Sequence, residues 1–512
     1  MKNYFRQRRR IFCLIAPAFI GLLYLILCLL NINQSIWFDE SYSSYITRFD
    51  FAQMIDFTAD DVHPPLYYIV LKTWAHFFGH NVATMRILSA VLGALAIVFI
   101  FLWLKYKYGA SIAILGSFMA AISPIFVRYG QEMRMYTLVA LIVFAATYFL
   151  ELAINNGAKK WWAIYAILLA AGMYTHYFCV FAWIAHLIYL IKIYGKKIFQ
   201  KKIFLVYFGA VVLYLPWLPS FIRQATDVQG GFWISELNAT GVLDYWTEVF
   251  LYDKADNIKN WLIVLLVAAI ITLIYLAVRY RKQLGMFFCL AFVPFIALVL
   301  LSMPPFTPVF VSRYLVYAML AVSILEAALI VFYARDKFAA IKPKKKTPFY
   351  QYPAVRVALV AAIFIGCSIC GLSSVYAYGN SDFDATSRPT AKDMFENLIA
   401  LDNGENLPII SSDDWLYYDL AAYSDDDHNV YFLNEQTEYS YGSLYPLRDS
   451  YFGRIDNLDA FLEDRDAIWY VGKYSEDEEL TFPRDGWRAT TEATWRFADN
   501  GDRYQILKLE RE

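Results

Sequence analysis

The sequence predicts a polytopic α-helical membrane protein with about eleven transmembrane helices, followed by a C-terminal soluble α/β domain. Hydrophobic residues make up 59% of the 512-residue chain, and the mean hydropathy is +0.40. Apolar runs of about twenty residues, the length that crosses the hydrocarbon of a bilayer, recur before residue 379. The charge is also divided, because residues 380–512 contain 30 acidic and 12 basic side chains, a net charge of −18, whereas the remainder carries +17.

The apolar runs set the order of the predicted spans. The first run, IFCLIAPAFIGLLYLILCLL, follows the basic start MKNYFRQRRR, and its length indicates an uncleaved span instead of a signal peptide. Only the turn Thr175-His176-Tyr177 separates the fifth run from the sixth. The later spans are predicted at 86–104, 111–126, 135–153, 161–176, 178–194, 203–219, 260–278, 285–302, 314–333 and 354–375.

The basic residues indicate the orientation of these spans, because Lys and Arg favour the cytoplasmic side of short loops. If the N-terminus is cytoplasmic, nearly every basic cluster falls on that side. These clusters lie at 6–10, 105–107, 159–160, 192–202, 279–282 and 335–346. We therefore predict a multi-pass protein of the cell membrane with a cytoplasmic N-terminus and an extracytoplasmic C-terminal domain.

Two domains follow from this topology. Residues 1–378 are predicted to form the transmembrane domain, with outer loops at 31–85 and 220–259. Residues 379–512 are predicted to form an acidic extracytoplasmic domain with a small sheet, because β-branched or aromatic runs alternate there with helical patterns. The predicted strands and helices are Leu407–Ser411, Asn429–Leu433, Ala467–Val471, Tyr504–Leu509, Ala391–Leu401 and Leu458–Leu462.

An acidic pair, Asp39 and Glu40, stands directly after the first span and behind two aromatic residues, Trp37 and Phe38. Apolar neighbours at headgroup level indicate a partly dry cleft. A carboxylate in such a cleft can act as a general base on a hydroxyl or an amine, or can ligate a hard cation. The alternative is a solvated loop start without a chemical role.

Three arginines stand at the outer ends of spans, namely Arg86, Arg134 and Arg313. Each could simply extend its guanidinium to lipid headgroups. Three of them on one face fit an anionic ligand better, because guanidinium groups bind phosphate oxygens in bidentate fashion. A lipid phosphate at the interface is the predicted ligand.

Two further segments add polar groups to the same face. His63 precedes Pro64-Pro65 and could orient a phosphate, although a loop histidine without a role is an equal alternative. The next outer loop carries Arg128, Glu132 and Arg134 within seven residues. We expect these side chains to face the same compartment as the acidic pair.

Together these motifs resemble the bacterial relatives of protein O-mannosyltransferases and lipid-A aminoarabinose transferases, which are glycosyltransferase family 39-like members of the GT-C superfamily. The resemblance rests on Asp39-Glu40, HPPLYY at 63–68, RYGQEMRMY at 128–136, YTHY at 174–177 and SRY at 312–314. It implies a GT-C fold in which residues 1–378 are catalytic. It also implies transfer of a sugar from a polyprenyl phosphate to an acceptor at the extracytoplasmic face, with inversion.

The resemblance implies roles for individual residues. Asp39 would be the general base, with Glu40 and Glu132 as further catalytic candidates. One position departs from the family, since the residue before the proline pair, often lysine in the aminoarabinose branch, is His63 here. The candidates for binding the lipid phosphate and sugar are His63, Arg86, Arg128, Arg134, Tyr136, His176, Arg313 and Tyr314.

The implied partners are a polyprenyl-phosphate sugar and the lipid bilayer. The acceptor, which could be a glycan, a lipid or a protein, is left open, and no nucleic acid is expected. The cofactor is also left open: the paired acids could bind a divalent cation, but arginines can neutralise a phosphate unaided, and we assign no metal ligands.

The alternative function is a membrane transporter or a flippase for lipid-linked sugars. Such proteins carry ionisable groups near the bilayer midplane and often show internal repeats. The sequence offers Glu326 deep within the tenth run and shows no repeat symmetry.

Overall fold

The computed structural model describes residues 2–229, 234–252, 259–339, 352–378, 390–424, 429–439, 442–474, 480–496 and 503–512. Part of the basic cluster predicted at 335–346 lies outside these residues. The chain folds into two compact units. The first comprises Met1–Ile32, His63–Tyr67 and Ile87–Ala377, and the second comprises Asn33–Val62, Tyr68–Arg86 and Tyr378–Glu512. The predicted domain boundary at residue 378 stays a prediction.

The described chain before residue 379 is helical, and a helix lies in each predicted apolar run. The predicted outer loop at 31–85 also contains helices. In chain order the helices are α1 (Lys2–Leu29), α2 (Phe38–Ile46), α3 (Phe51–Asp60), α4 (Leu66–Phe78), α5 (Val82–Tyr108), α6 (Ala110–Ala121), α7 (Pro124–Gly130), α8 (Tyr136–Asn156), α9 (Lys159–Met173), α10 (Cys179–Tyr194), α11 (Lys201–Tyr214), α12 (Leu218–Gln229), α13 (Ala239–Leu251), α14 (Asn260–Tyr280), α15 (Gly285–Leu301), α16 (Val316–Ala339) and α17 (Pro353–Tyr378).

Among the described residues, seven helices are long and apolar enough to cross a membrane, and a bent helix pair raises that number to as many as eight. Two shorter apolar helices, Ile15–Leu29 and Gly285–Leu301, accompany them. The multi-pass helical fold class is confirmed, and the count of eleven stays a prediction. The segment around α16 lies at the centre of the first unit, because 89% of its most apolar 18-residue stretch is buried. The corresponding share for α17 is 22%.

The run predicted as one span at 111–126 is two helices, α6 and α7, that meet at an angle of 59°. Pro124 is the first residue of α7 and has no N–H to continue the hydrogen bonds of α6. Ser123 before it has φ −64° and ψ 120°, the extended conformation that a following proline favours. The chain therefore changes direction at the start of α7, the helix that carries Arg128.

The part of the second unit after residue 389 is an α/β fold around a six-stranded sheet, which confirms the predicted soluble α/β segment. The strand order is β3-β2-β1-β4-β6-β5, with β1–β4 parallel and β6 antiparallel to both β4 and β5. The elements are α18 (Ala391–Asp402), β1 (Ile409–Ser411), α19 (Asp414–Ala421), β2 (Val430–Leu433), α20 (Tyr445–Arg448), β3 (Arg454–Ile455), α21 (Leu458–Leu462), β4 (Ala467–Tyr474), β5 (Trp487–Arg496) and β6 (Arg503–Arg511).

The apolar core of this sheet explains why its central strands could be predicted from the sequence. The central strands carry runs of apolar residues that are buried in the fold, as expected for parallel strands. Ile410, Ile468 and Leu509 are buried in one cluster with Leu458 and Leu462 of α21. The predicted strands and helices of this segment all correspond to observed elements.

Candidate active site

The predicted site residues are divided between the two units. Asp39, Glu40 and Arg86 belong to the second unit. The first unit contains the other eight candidates, which are His63, Arg128, Glu132, Arg134, Tyr136, His176, Arg313 and Tyr314.

The candidates of the first unit lie in α7 or where other helices begin or end. His63 lies before α4, and Glu132 and Arg134 lie between α7 and α8. His176 lies in the turn between α9 and α10, and Arg313 lies in the 3₁₀ turn Ser312–Leu315 before α16. Most of these candidates are thus placed by the ends of helices.

The structure brings His63 and Arg134 into contact, although 71 residues separate them. Arg134 Nη2 lies 3.2 Å from His63 Nε2. Because a guanidinium only donates, His63 Nε2 is the acceptor. The backbone of this segment is fixed as well, since the Leu66 N–H donates to the carbonyl of Tyr174 at 2.9 Å.

His176 lies beside this pair. Its ring centroid is 6.4 Å from that of His63 and 5.1 Å from that of Tyr314. Its Nδ1 accepts the Phe178 N–H at 3.3 Å, which places the proton of the neutral ring on Nε2. Burial lowers the pKa of His176 well below its ordinary value, and the nearby His63, Arg134 and Arg313 lower it further.

The smaller causes of that pKa shift indicate which charges lie near His176. Three basic side chains are close enough to His176 to disfavour a further positive charge. Arg313 adds to the group, with its guanidinium 5.9 Å from the ring centroid of Tyr314. The cluster of His63, Arg134, His176 and Arg313, which we call the basic cluster, is therefore an electropositive region suited to an anion.

Arg128 and Glu132 form a separate ion pair in the same unit. Arg128 Nη1 donates to Glu132 Oε2 at 2.8 Å, and the two side chains are 6% and 0% exposed. Tyr136, the first residue of α8, lies near His176 of the basic cluster and near Tyr129, the neighbour of Arg128. Its ring centroid is 4.8 Å from that of Tyr129 and 6.4 Å from that of His176.

In the second unit, Asp39 lies half-buried in the first turn of α2. Its backbone carbonyl accepts the hydroxyl of Ser43 at 2.6 Å. The seven following residues, Glu40–Ile46, are buried. An acidic residue in the first turn is favoured by the helix dipole, and the burial of the rest of α2 fixes the backbone that carries it.

The structure pairs Glu40 with Arg86. Arg86 Nε donates to Glu40 Oε1 at 2.8 Å, Nη2 donates to Oε2 at 2.6 Å, and both side chains are 0% exposed. Arg86 also donates to the carbonyls of Gln34 and Ser35, at 2.5 and 2.8 Å. This bidentate pair ties the start of α2 to the start of α5.

The contacts of α2 with α19 were missed by the sequence analysis. Ser41 Oγ lies 2.6 Å from Asp419 Oδ1, and the Phe38 ring centroid is 4.2 Å from that of Trp415. Tyr45 OH donates to Ser450 Oγ at 2.8 Å. The only trace of these contacts in the sequence is the aromatic and acidic run DWLYYDLAAY at 414–423, which has no local relation to residue 41.

No group of three or more His, Cys, Asp or Glu side chains that could hold a metal ion occurs in the described part of the chain. The basic cluster can bind and neutralise an anion, and a carboxylate at the start of α2 can accept a proton.

Comparison with known proteins supports these assignments of fold. Residues 62–219 match the family described as dolichyl-phosphate-mannose-protein mannosyltransferase. No curated protein sequence matches the chain.

Several solved structures share the fold. The structure of ArnT from Cupriavidus metallidurans in the apo state is 12% identical, with a TM-score of 0.60 and 98% of both chains covered. The same protein bound to undecaprenyl phosphate is 12% identical, with a TM-score of 0.57 and 97% of both chains covered. The Archaeoglobus fulgidus oligosaccharyltransferase tethered with an acceptor peptide is 14% identical, with a TM-score of 0.50, covering 80% of this chain and 63% of that one.

These matches agree with the motifs from which the family was predicted, because the matched segment contains the HPPLYY, RYGQEMRMY and YTHY sequences. The predicted resemblance is confirmed: the chain is a multi-pass membrane protein with a fold similar to that of ArnT, and residues 62–219 match the family described as dolichyl-phosphate-mannose-protein mannosyltransferase.

Proposed function

We propose that the chain is a glycosyltransferase that transfers a sugar from a polyprenyl-phosphate donor to an acceptor at the extracytoplasmic face of the membrane. The observation that carries this proposal is the basic cluster, in which Arg134 contacts His63 and in which His63, Arg134 and Arg313 lie near enough to His176 to lower its pKa. Such a cluster suits a phosphate that gains negative charge as a bond to it breaks. A protein of the same fold, ArnT, has been solved with undecaprenyl phosphate bound, which supports a lipid phosphate as the ligand.

The proposed reaction is a single displacement. The acceptor attacks the anomeric carbon, the bond to the phosphate oxygen breaks, and the polyprenyl phosphate leaves with the bonding electrons, so that the anomeric centre inverts. Catalysis then needs positive charge beside the departing phosphate and a base beside the acceptor. A second carboxylate nucleophile is not needed, unlike in a retaining mechanism.

Asp39 is the proposed base, and Glu40 and Glu132 support the site through arginines. Asp39 lies half-buried at the start of α2, and a half-buried carboxylate is accessible to an acceptor hydroxyl or amine. Glu40 accepts two hydrogen bonds from Arg86, and Glu132 accepts one from Arg128. In this proposal those two carboxylates hold guanidinium groups in place.

The proposed orientation has the N-terminus in the cytoplasm and residue 512 outside it. The basis is the location of basic clusters in alternate loops of the chain. A reporter fused after Glu512 that is active only in an extracytoplasmic compartment tests this. Activity of a cytoplasmic reporter at that position would contradict the orientation and the placement of the reaction.

Replacing Asp39 tests the mechanism. Asp39→Asn keeps the shape of the side chain but removes its basicity, so we expect transfer to fall by about 10² to 10⁴, the usual contribution of a positioned acid or base. The assay uses membranes from cells that lack the gene and express each variant, with lipid-linked sugars extracted from wild-type cells as donor. The product is the glycan that mass spectrometry finds only in the presence of the wild-type gene.

Asp56→Asn is the matched control, because Asp56 is an exposed carboxylate of α3 in the same predicted loop. We expect this variant to keep the wild-type rate, and thermal stability should be unchanged in both variants. If Asp39→Asn kept near-wild-type transfer while Glu132→Gln abolished it, the base would have to be assigned to the segment between α7 and α8.

A further inference from the structure

We propose that Asp419, in the C-terminal sheet segment, is a positioning residue for the base of the transfer reaction and acts on α2 through Ser41. The inference rests on the proposed function, in which Asp39 is the base. It gives the C-terminal segment a direct role in the transfer reaction.

The geometry supports a direct connection. Ser41 Oγ lies 2.6 Å from Asp419 Oδ1 and 2.9 Å from the carbonyl oxygen of Phe38. Phe38 and Ser41 enclose Asp39 in the first turn of α2. The orientation of this turn, and with it the direction of the Asp39 side chain, therefore depends on what Ser41 contacts.

Three other contacts bring α19 and its flanking residues against α2 and the residues on either side of it. The Ile36 N–H donates to Tyr423 OH at 2.7 Å, and Arg48 Nη2 donates to the carbonyl of Ala421 at 2.9 Å. The Phe38 ring centroid lies 4.2 Å from that of Trp415. Among these hydrogen bonds, the one between Ser41 and Asp419 reaches a side chain inside the first turn of α2.

A serine hydroxyl has one proton, so its two short contacts depend on the state of Asp419. When Asp419 is protonated, it donates to Ser41 Oγ, and Ser41 donates to the Phe38 carbonyl. When Asp419 is ionised, Ser41 must donate to the carboxylate, and its hydrogen bond to the Phe38 carbonyl is lost. The protonated form satisfies both contacts and is the form that holds the first turn.

The surroundings of Asp419 favour that form. Burial raises the pKa of Asp419, the Ser41 hydrogen bond lowers it, and the negative charges of Asp413 and Glu40 raise it; together they bring the pKa to about 7. Asp413 Oδ2 lies 3.3 Å from Lys473 Nζ, and Glu40 forms an ion pair with Arg86. Other charged groups on or against α19 include Asp414, whose pKa burial raises to about 6, Arg48 and Asp61.

The experiment compares full-length variants in the membrane assay described above, at a saturating amount of donor extract. We expect Asp419→Ala and Ser41→Ala each to lower the rate roughly 3- to 10-fold, the range that corresponds to one hydrogen bond. The amount of donor needed for half the maximal rate should not change. Asp419→Asn should retain the wild-type rate, because its amide can donate to Ser41 Oγ as the protonated acid does.

Two readouts separate positioning from a general loss of structure. If Asp419 acts through Ser41, the Ser41→Ala/Asp419→Ala double variant is no slower than the slower single variant. The wild-type rate should also fall as the pH rises through about 7, because Asp419 ionises, and Asp419→Asn should lack that fall. Asp464→Ala, an exposed carboxylate of the same segment, is the control and should match the wild type.

The outcomes distinguish this inference from the function on which it rests. If Asp39→Asn abolishes transfer while Asp419→Ala leaves rate and pH profile unchanged, Asp419 is not a positioning residue and the proposed base stands. Multiplicative losses in the double variant would also overturn the inference. If Asp39→Asn has no effect, the proposed mechanism itself fails.

Discussion

The helix α2 and the basic cluster are held in place by different means. The basic cluster is assembled from helix ends, and backbone bonds such as that from Leu66 N–H to the Tyr174 carbonyl fix its segments. The helix α2 is instead held by side chains, including the buried pair of Glu40 with Arg86 and the contact of Ser41 with Asp419. Substitutions can therefore disturb the proposed phosphate-binding residues and the helix that carries the proposed base separately.

The largest effect is expected from a substitution that removes a buried partner of α2. Arg86→Met leaves the Glu40 carboxylate buried without its bidentate partner, so we expect a loss of about 3–5 kcal/mol in stability. The measurement is the thermal unfolding of the purified full-length chain in nanodiscs. The Glu40→Leu/Arg86→Met double variant should recover most of the loss, since it removes both charges.

An exposed ion pair is the matched comparison for Arg86. Arg279 and Asp336 form a salt bridge in which each side chain is 42% exposed. We expect Arg279→Met to leave the unfolding temperature nearly unchanged, because solvent and salt screen such pairs. Equal losses for Arg86→Met and Arg279→Met would show that burial of the first pair has no energetic consequence.

A smaller effect is expected from substitutions in the basic cluster, where the lipid phosphate is proposed to bind. Arg313→Ala should weaken binding of undecaprenyl phosphate by about 1.5–3 kcal/mol, roughly 10- to 150-fold, the contribution of a hydrogen bond to a charged group. Arg313→Lys should lie between this variant and the wild type, because it keeps the charge but loses the planar fork. Titration of undecaprenyl phosphate into the chain in nanodiscs measures both. Unchanged affinity in the two variants would show that Arg313 does not bind the donor phosphate and only contacts lipid headgroups.

The smallest effect concerns the pH dependence of stability. The pKa of His176 is lowered in the folded protein, so the unfolded chain binds more protons as the pH falls below about 6.5, the ordinary histidine value. His176 therefore contributes a loss of stability as the pH falls from 7 towards 5. His176→Gln should reduce this loss, and the exposed His76→Gln should not. The unfolding temperature measured across that pH range tests the difference.

Much of the fold could be predicted because its signals are local. A transmembrane helix is a continuous apolar run, and the central strands of the sheet are short apolar runs between polar turns. The strand β5 was missed for the converse reason. Its sequence, WRATTEATWR, is mostly polar, and most of its described side chains face solvent at the edge of the sheet.

The site was predictable only in part. The position of Asp39 after the first span and the locations of Arg134 and Arg313 at helix ends are visible in the sequence. The pairing of Glu40 with Arg86 and of Ser41 with Asp419 is not, because 46 and 378 residues separate the partners. Such contacts depend on the packing of the whole chain, which no local pattern records.

The separation of Ser41 from Asp419 also has a consequence for biosynthesis. At about 5–20 residues per second, the ribosome adds the 378 residues between them in about 20–75 seconds. During that interval α2 has been made, but the residues that hold its first turn have not. We expect the nascent chain to enter the membrane before the first turn of α2 is held, so that the newly made protein reaches its full rate only after α19 has been translated and folded.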